Sequence, residues 1–202
     1  MQELIIRKTL DMISAANTLT LPMDVRRLSS HFGYRVQYYS RSSHLLETFN
    51  LSKMATEYTA LSTKRWGKYY IFLSDDLNAE AERYAIAHEL GHIAMGHLEP
   101  DAEELNVEES EGQANLFALI LLASPPILEQ YGIDTPENIR VCTGLSLTDS
   151  RKAYLILQQY RATQQEASRR EDIARRARIA IKNGRRPFSR PFFHFRSRAN
   201  SA

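Results

Sequence analysis

The first half of the chain moves from helical spacing of its hydrophobic residues to stretches rich in residues that favour strands. Apolar side chains at Leu4, Ile5, Leu10 and Ile13 predict a helix over residues 2–16. A second short helix is predicted in "TLPMDVRRLSSHFGY", which has a proline at its start and a glycine at its end. The β-rich stretches that follow predict strands, the last two forming a hairpin through "TKRWG": "YRVQYY" (34–39), "ATEYTALS" (55–62) and "KYYIFLS" (68–74).

The second half of the chain returns to helical patterns. Asn78 is a suitable N-cap for a helix over "AEAERYAIAHELGHIAMGHL", because acidic residues follow in its first turn. An acidic loop, "EPDAEELNVEES", then precedes a helix over 111–123 that Pro125 stops, and a long helix is predicted over 147–181. The order of helices, strands and helices predicts an α+β fold. We expect a three-stranded sheet containing an antiparallel pair, packed on the histidine-bearing helix and further helices, with a C-terminal helical extension.

The composition is that of a soluble globular protein in a reducing compartment. Hydrophobic residues make up 43% of the 202 residues and charged residues 25%, which is an ordinary balance. The single cysteine, Cys142, excludes a disulfide framework within the chain. Charged residues such as Glu3 and Arg7 interrupt any signal-peptide core, and no apolar run approaches the roughly 20 residues of a membrane span. We therefore predict a cytoplasmic protein without a membrane span.

The net charge of +2 hides a strong asymmetry along the chain. Residues 165–202 hold eleven Lys and Arg against three acidic residues, a balance of +8, which leaves −6 for the rest. This contrast predicts two parts, a domain over 1–163 and a basic tail over 164–202, helical at first and then rich in Pro, Arg and Phe. Arginines interleaved with aromatics are typical of nucleic-acid binding. The tail could equally bind an anionic membrane surface or an acidic partner, or simply be a solvated helix with a disordered end.

Three of the six histidines lie in the stretch "RYAIAHELGHIAMGH". On a helix, His88 and His92 are one turn apart on the same face, so both imidazoles can bind one metal ion. Glu89 points to the side of that pair and can take a proton from a metal-bound water. His-Glu-x-x-His on a helix is therefore a zinc-hydrolase signature, and it predicts one Zn²⁺ per chain with Glu89 as the catalytic residue.

A catalytic zinc usually has a third protein ligand. His97 follows His92 by five residues, a spacing that does not match the metzincin pattern, so we expect it to support a ligand or to be merely exposed. A carboxylate of the next helix is the better candidate. Glu111 begins "EGQAN", and Asn115, four residues later on the same face, is placed to hold a ligand histidine by a hydrogen bond. The neighbours Glu108 and Glu109 leave the choice open on spacing alone.

The alternative to a metal site is a chance motif in which the histidines are structural. Small and apolar residues surround the pair, including Ile86, Ala87 and Ile93, so the helix should be substantially buried. Burying two histidines and a glutamate without partners is costly. A metal ion supplies those partners, and the metal site is the interpretation we favour.

The chain resembles the ImmA/IrrE family of bacterial and phage metallo-endopeptidases over roughly residues 1–160. The resemblance rests on "RYAIAHELGH", on "EGQANLFALILLASP" and on the lead-in "LPMDVRRLSSHFGYRVQY". It implies a zincin-like fold with zinc bound by His88, His92 and Glu111. It also implies that Glu89 acts as general base and then as proton donor.

The same resemblance implies an anti-repressor that cleaves a regulatory protein. The implied substrate is a helix-turn-helix repressor of a mobile element, a phage or a stress regulon. The alternative function is a non-catalytic module that sequesters a repressor or binds DNA on a peptidase scaffold. The stretch around "TGLS" has a helix-turn-helix outline, although we expect it to be a helical part of the peptidase domain.

The sequence leaves two features of substrate binding open. The strand "KYYIFLS" could be a sheet edge that pairs with an extended substrate segment. An oxyanion donor is also expected, and the candidates that the sequence offers are Tyr58, Tyr69, Tyr70 and Arg83. For each of them, a role in the core or on the surface is the commoner alternative.

Overall fold

The computed structural model describes residues 1–99 and 106–182 and confirms the predicted α+β fold. A single 3₁₀ turn, Tyr39–Arg41, follows the first strand. The helices and strands occur in the order α1 (Gln2–Ala16), α2 (Val25–His31), β1 (Arg35–Tyr38), α3 (Ser43–Thr48), α4 (Ser52–Glu57), β2 (Ala60–Arg65), β3 (Lys68–Leu73), α5 (Ala79–Met95), α6 (Val107–Leu122), α7 (Pro125–Gln130), α8 (Pro136–Thr143) and α9 (Leu147–Lys182).

The three strands form one mixed sheet in the order β1-β3-β2. Strands β2 and β3 are antiparallel, with Ser62 opposite Ile71, and β1 runs parallel to β3. Trp66 and Gly67 connect β2 to β3, and both have positive φ angles of 51° and 71°, as a tight two-residue hairpin turn requires. Because β3 lies in the centre, the hypothesis that "KYYIFLS" is a sheet edge is wrong. The edge beside β3 on the hairpin side is β2.

The predicted strand over 55–62 is only partly correct. Residues Ser52–Glu57 form helix α4, and the chain becomes extended only from Ala60. Good helix formers occupy this turn, and the amide of Tyr58 donates to the Met54 carbonyl at its end. The strand instead continues to Arg65, through residues predicted to be loop, because the hairpin turn needs only two residues.

Helix α5, which carries the histidine motif, packs against α2, α6, β2 and β3. Its N-terminus is capped by Asn78, whose side chain accepts a hydrogen bond from the Ala81 amide, as predicted. It ends at Gly96, which adopts a left-handed conformation with φ 84°. Ile86 and Leu90 are fully buried against the neighbouring elements. The helix therefore has little freedom to rotate, and the orientation of its histidines is fixed by the core.

Helix α6 begins earlier than predicted, at Val107 rather than Glu111. Asn106 and Glu109 form a reciprocal capping box, in which each side chain bonds to the backbone amide of the other residue. The end of the predicted acidic loop is therefore the first turn of the helix, where negative charge is favourable. Residues 100–105 of that loop lie outside the described residues.

The C-terminal part of the structure begins with the short helix α7, which the sequence patterns did not predict. Helices α8 and α9 follow, on either side of the "TGLS" stretch that was expected to be helical. The chain divides into two units, residues 1–159 and 160–202. Helix α9 continues through the predicted domain limit at 163, so the division into a domain over 1–163 and a tail over 164–202 stays a prediction. The Pro- and Phe-rich end, 183–202, lies outside the described residues.

Several arginines of the second unit are engaged in ion pairs along their own helix. Asp172 binds both Arg175 and Arg176, and Glu166 binds Arg170. Binding of nucleic acid or of an acidic partner by the basic tail stays a prediction. In the described parts of the chain, 1–99 and 106–182, no helix is both long and apolar enough to cross a membrane.

Candidate metal centre and active site

Three predicted metal ligands meet where α5 packs against α6. The Nε2 atoms of His88 and His92 are 3.1 Å apart. The two carboxylate oxygens of Glu111 lie 3.2 Å from the His88 Nε2 and 3.3 Å from the His92 Nε2. The side chain of Glu109 is bonded to the backbone of Asn106 in the capping box at the start of α6, whereas Glu111 faces the histidines. Among the three neighbouring glutamates, the structure therefore brings Glu111 to the site.

These donor atoms fit a zinc ion by spacing and by chemistry. Ligands at about 2.05 Å in tetrahedral directions lie roughly 3.3 Å from one another, close to the separations observed here. Burial and the neighbouring His88 lower the pKa of His92, which keeps its imidazole neutral, as metal binding requires. Two imidazole nitrogens and one carboxylate oxygen form a donor set used by catalytic zinc sites, which leave a further position open.

The two helices approach closely because one of them has a glycine at the contact. A Cβ atom on Gly91 would lie 2.9 Å from the Ala114 Cα and 3.1 Å from the Phe117 Cβ. Gly91 is the residue immediately before His92, and Ala114 is three residues after Glu111. The absence of a side chain at position 91 therefore lets Glu111 of α6 approach His88 and His92 of α5.

Glu89 lies beside the three ligands and is largely withdrawn from solvent, with only 6% of its surface exposed. Burial, reinforced by the negative charge of Glu111, raises the pKa of Glu89 to about 7. Hydrogen bonds from Ser62, on strand β2, act in the opposite direction and hold the carboxylate in place. Near-neutral pKa values suit a group that accepts a proton and later returns it.

A groove of about 540 Å³ leads to this site and lies within the first unit. Its lining comes from the approach to β2, from α5 and from the start of α9, and it includes Thr59, Ala60, Leu77, Tyr84, Leu145 and Asp149 as well as His88, Glu89 and Glu111. The combination of an open groove, a cluster of metal-ligand donors and a buried carboxylate is typical of an enzyme site.

The structure separates the four candidates for the oxyanion donor. Tyr58 lines the groove, and 56% of its surface is exposed. Tyr70 is buried in an aromatic cluster, and Tyr69 donates to Glu99. Arg83 donates to the Gly144 carbonyl at 2.5 Å, which ties the turn before α9 to α5. Of the four, only Tyr58 is therefore placed to contact a substrate in the groove.

Tyr84 is a groove residue that the sequence patterns did not identify. It lies one turn before His88 on α5, and its hydroxyl donates to the Asn115 Oδ1 at 3.3 Å. Burial, with a smaller effect of Asp149, raises the pKa of Tyr84 to about 12, so the hydroxyl keeps its proton. The sequence could have indicated this residue, because Tyr84 is four positions before His88 and therefore lies on the same face of the helix.

Each of the two candidate ligand histidines, His88 and His92, has a partner at its other ring nitrogen. The Nδ1 of His88 lies 3.1 Å from the Asn115 Oδ1, as the helical spacing of Asn115 led us to expect. The Nδ1 of His92 lies 3.0 Å from the Nδ1 of His97. The sequence left open whether His97 supports a ligand or is merely exposed. In the structure it contacts the candidate ligand His92. Such contacts fix ring orientation at metal sites.

The family of the chain agrees with this geometry. The family model Peptidase_M78, described as the IrrE N-terminal-like domain, matches residues 30–130, which include every residue of the metal centre. The chain therefore belongs to the Peptidase_M78 family, as the ImmA/IrrE resemblance predicted, and its domain is that of a metallopeptidase. No curated protein matches the chain.

Proposed function

We propose that this protein is a zinc-dependent endopeptidase that cleaves a regulatory protein. The observation that carries the proposal is the meeting of two imidazoles and one carboxylate beside the buried carboxylate of Glu89. The Nε2 atoms of His88 and His92 are 3.1 Å apart, and each lies 3.2–3.3 Å from one of the two Glu111 oxygens. In this assignment His88, His92 and Glu111 hold one Zn²⁺, and Glu89 is the catalytic residue.

The reaction needs a proton to leave the attacking water and to reach the leaving amine. When bound, zinc supplies a Lewis acid that acidifies water and polarises a carbonyl group. Glu89 takes the proton from the water while the water oxygen attacks the carbonyl carbon of the scissile peptide bond. The protonated carboxyl then gives that proton to the amide nitrogen as the C–N bond breaks. Ser62 keeps the Glu89 carboxylate in position for both transfers.

The groove and the neighbouring strand suggest how a peptide would approach. Strand β2 is paired with β3 on one side only in the described sheet, and Thr59 and Ala60 at its start line the groove. An extended substrate segment could therefore pair with the backbone of β2, the role first considered for β3. Tyr58, at the same end of the groove, is our candidate for contact with the carbonyl oxygen of the scissile bond.

For the substrate we propose a helix-turn-helix repressor of a mobile element, a phage or a stress regulon. The support for this part is the ImmA/IrrE membership of the domain. A cytoplasmic location and an anti-repressor role belong to the same proposal.

The test compares wild type with Glu89→Gln, which removes the proton acceptor and leaves the three metal ligands intact. Each protein is loaded with zinc and incubated with a purified helix-turn-helix repressor encoded beside its gene, and intact mass is followed over time. We expect defined fragments with wild type only, and equal zinc content in both proteins.

The other outcomes separate the two functions considered. Release of the repressor from its operator without cleavage, equally in wild type and Glu89→Gln, would establish a sequestering module in place of an enzyme. Failure of wild type to retain zinc would remove the basis of the proposal.

A further inference from the structure

Three side chains in successive contact connect His92 with helix α6. The His92 Nδ1 lies 3.0 Å from the His97 Nδ1, and the His97 Nε2 lies 3.1 Å from the Gln113 Oε1. His97 follows α5 by two residues, and Gln113 lies two residues after Glu111. All three side chains are partly buried.

The backbone brings His97 to this position by reversing at the end of α5. In a continuous helix, a residue five positions after His92 would point to a different face. Gly96, with φ 84°, instead turns the chain back, and the His97 amide donates to the His92 carbonyl at 3.0 Å. Glycine adopts this left-handed conformation without strain. The helix end therefore places the two imidazoles side by side.

We propose that His97 and Gln113 are positioning residues that select the metal-binding tautomer of His92, an inference that rests on the proposed zinc site. The Gln113 Oε1 can only accept a hydrogen bond, so His97 carries its proton on Nε2. The His97 Nδ1 is then an acceptor, and His92 donates to it from Nδ1. The Nε2 of His92 is left with a lone pair directed at His88 and Glu111.

The opposite placement of the protons on the His92 and His97 rings would prevent metal binding. If His97 donated to His92, the proton of His92 would be on Nε2, facing the Glu111 Oε1 at 3.3 Å. That hydrogen bond would close the cluster without a metal ion. Gln113, in the orientation that turns its Oε1 toward the His97 Nε2, is the group that disfavours this arrangement. His88 needs no such relay because Asn115 accepts from its Nδ1 directly.

Helix α6 therefore fixes the centre in three ways. Glu111 supplies a ligand, Asn115 orients His88, and Gln113 orients His92 through His97. Helix α6 thus supplies one donor group and also orients the two imidazoles of α5 that supply the others.

The experiment measures the zinc dissociation constant of the full chain by competition with a chelator, without any peptidase assay. His97→Phe keeps an aromatic ring and removes the acceptor, whereas His97→Asn keeps an acceptor near the position of Nδ1. Gln113→Leu and Gln113→Glu form a second matched pair. His44→Phe, at an exposed histidine outside the site, is the control.

We expect His97→Phe and Gln113→Leu to bind zinc about 10- to 100-fold more weakly than wild type, the usual effect of losing a group that orients a ligand. His97→Asn and Gln113→Glu should recover most of the loss, and His44→Phe should bind like wild type. The visible spectrum of the Co²⁺-loaded proteins should change in the two weak variants. Their thermal unfolding without metal should stay close to that of wild type.

Zinc binding by both His97→Phe and Gln113→Leu as tight as that of wild type would overturn the inference while leaving the peptidase proposal intact. Equal weakening by His97→Asn and His97→Phe would also overturn it, because packing alone would then explain the effect. If His97→Phe does not fold, the Gln113 pair decides. A wild-type protein that binds no zinc would overturn both proposals.

Discussion

A methyl group added at Gly91 tests whether the contact between α5 and α6 sets the geometry of the metal centre. In Gly91→Ala the new Cβ would lie 2.9 Å from the Ala114 Cα, 3.0 Å from the Ala114 carbonyl oxygen and 3.1 Å from the Phe117 Cβ. Two of these atoms belong to the α6 backbone and cannot rotate away. Since carbon atoms rest at about 3.5–4.0 Å, the helices must separate by roughly half an ångström.

Two effects of opposite sign act on the stability of this variant. Overpacking a well-packed contact costs about 1–3 kcal/mol. Replacing glycine by alanine inside a helix favours folding by about 1 kcal/mol. The free energy of unfolding should therefore fall by no more than about 2 kcal/mol. The metal site is more sensitive, because ligand constellations tolerate displacements of only about 0.5 Å. We expect zinc affinity to fall on the order of tenfold or more, about 1.4 kcal/mol.

The assay combines chemical unfolding of the metal-free protein with a zinc competition titration. Gly112→Ala is the matched control, since it makes the same substitution in α6 and its Cβ would meet no atom within 4 Å. That control should gain about 0.5–1 kcal/mol of stability and keep its zinc affinity. Wild-type zinc affinity in Gly91→Ala would refute the reasoning, because the close approach would then be irrelevant to the placement of Glu111.

Three further predictions concern the surroundings of the site. Asn115→Leu removes the acceptor for a ligand histidine, and zinc affinity should fall about 10- to 100-fold in the competition titration, although metal-free stability should change little. Phe117→Ala empties a fully buried position between the two helices and should cost about 3–5 kcal/mol in urea unfolding; a loss below 1 kcal/mol would contradict the packing described. Burial raises the pKa of Glu82, but hydrogen bonds from Arg26 and Tyr38 lower it more, so the net shift is downward. The stabilisation from ionised Glu82 is therefore present above its unfolded pKa of about 4.3 and is lost as the pH falls through the folded value. Urea unfolding at pH 7 and pH 3 should show a smaller loss for Glu82→Gln than for wild type, and equal losses would contradict the assignment.

The sequence predicts best those parts of the molecule in which local signals agree. Helix α5 is found where expected because its N-cap, its acidic first turn and its buried side chains all favour one helix. The pair His88 and His92 follows directly from helical spacing, and so does Asn115 relative to Glu111. In each case the partner lies within one turn of the same helix, so no tertiary information is needed.

The sequence predicts poorly whatever depends on contacts between distant segments. The β-favouring residues over 55–62 suggested a strand, yet its first part is helical. Nothing local shows that β3 lies between β1 and β2. The start of α6 was misplaced because acidic residues suit both a loop and a capped first turn. His97 remained undecided because its contact with His92 depends on the left-handed turn at Gly96.

The arrangement of α6 explains why metal binding and catalysis should respond to different parts of this protein. Three polar residues at alternate positions of α6, Glu111, Gln113 and Asn115, serve the histidines. The carboxylate of Glu89, the proposed general base, instead interacts with Ser62 on β2. Changes in α6 should therefore alter zinc affinity first, whereas changes at β2 should alter proton transfer and peptide placement at full zinc occupancy. Strand β2 would then join two roles, because it positions the base and also borders the groove through which a substrate reaches it.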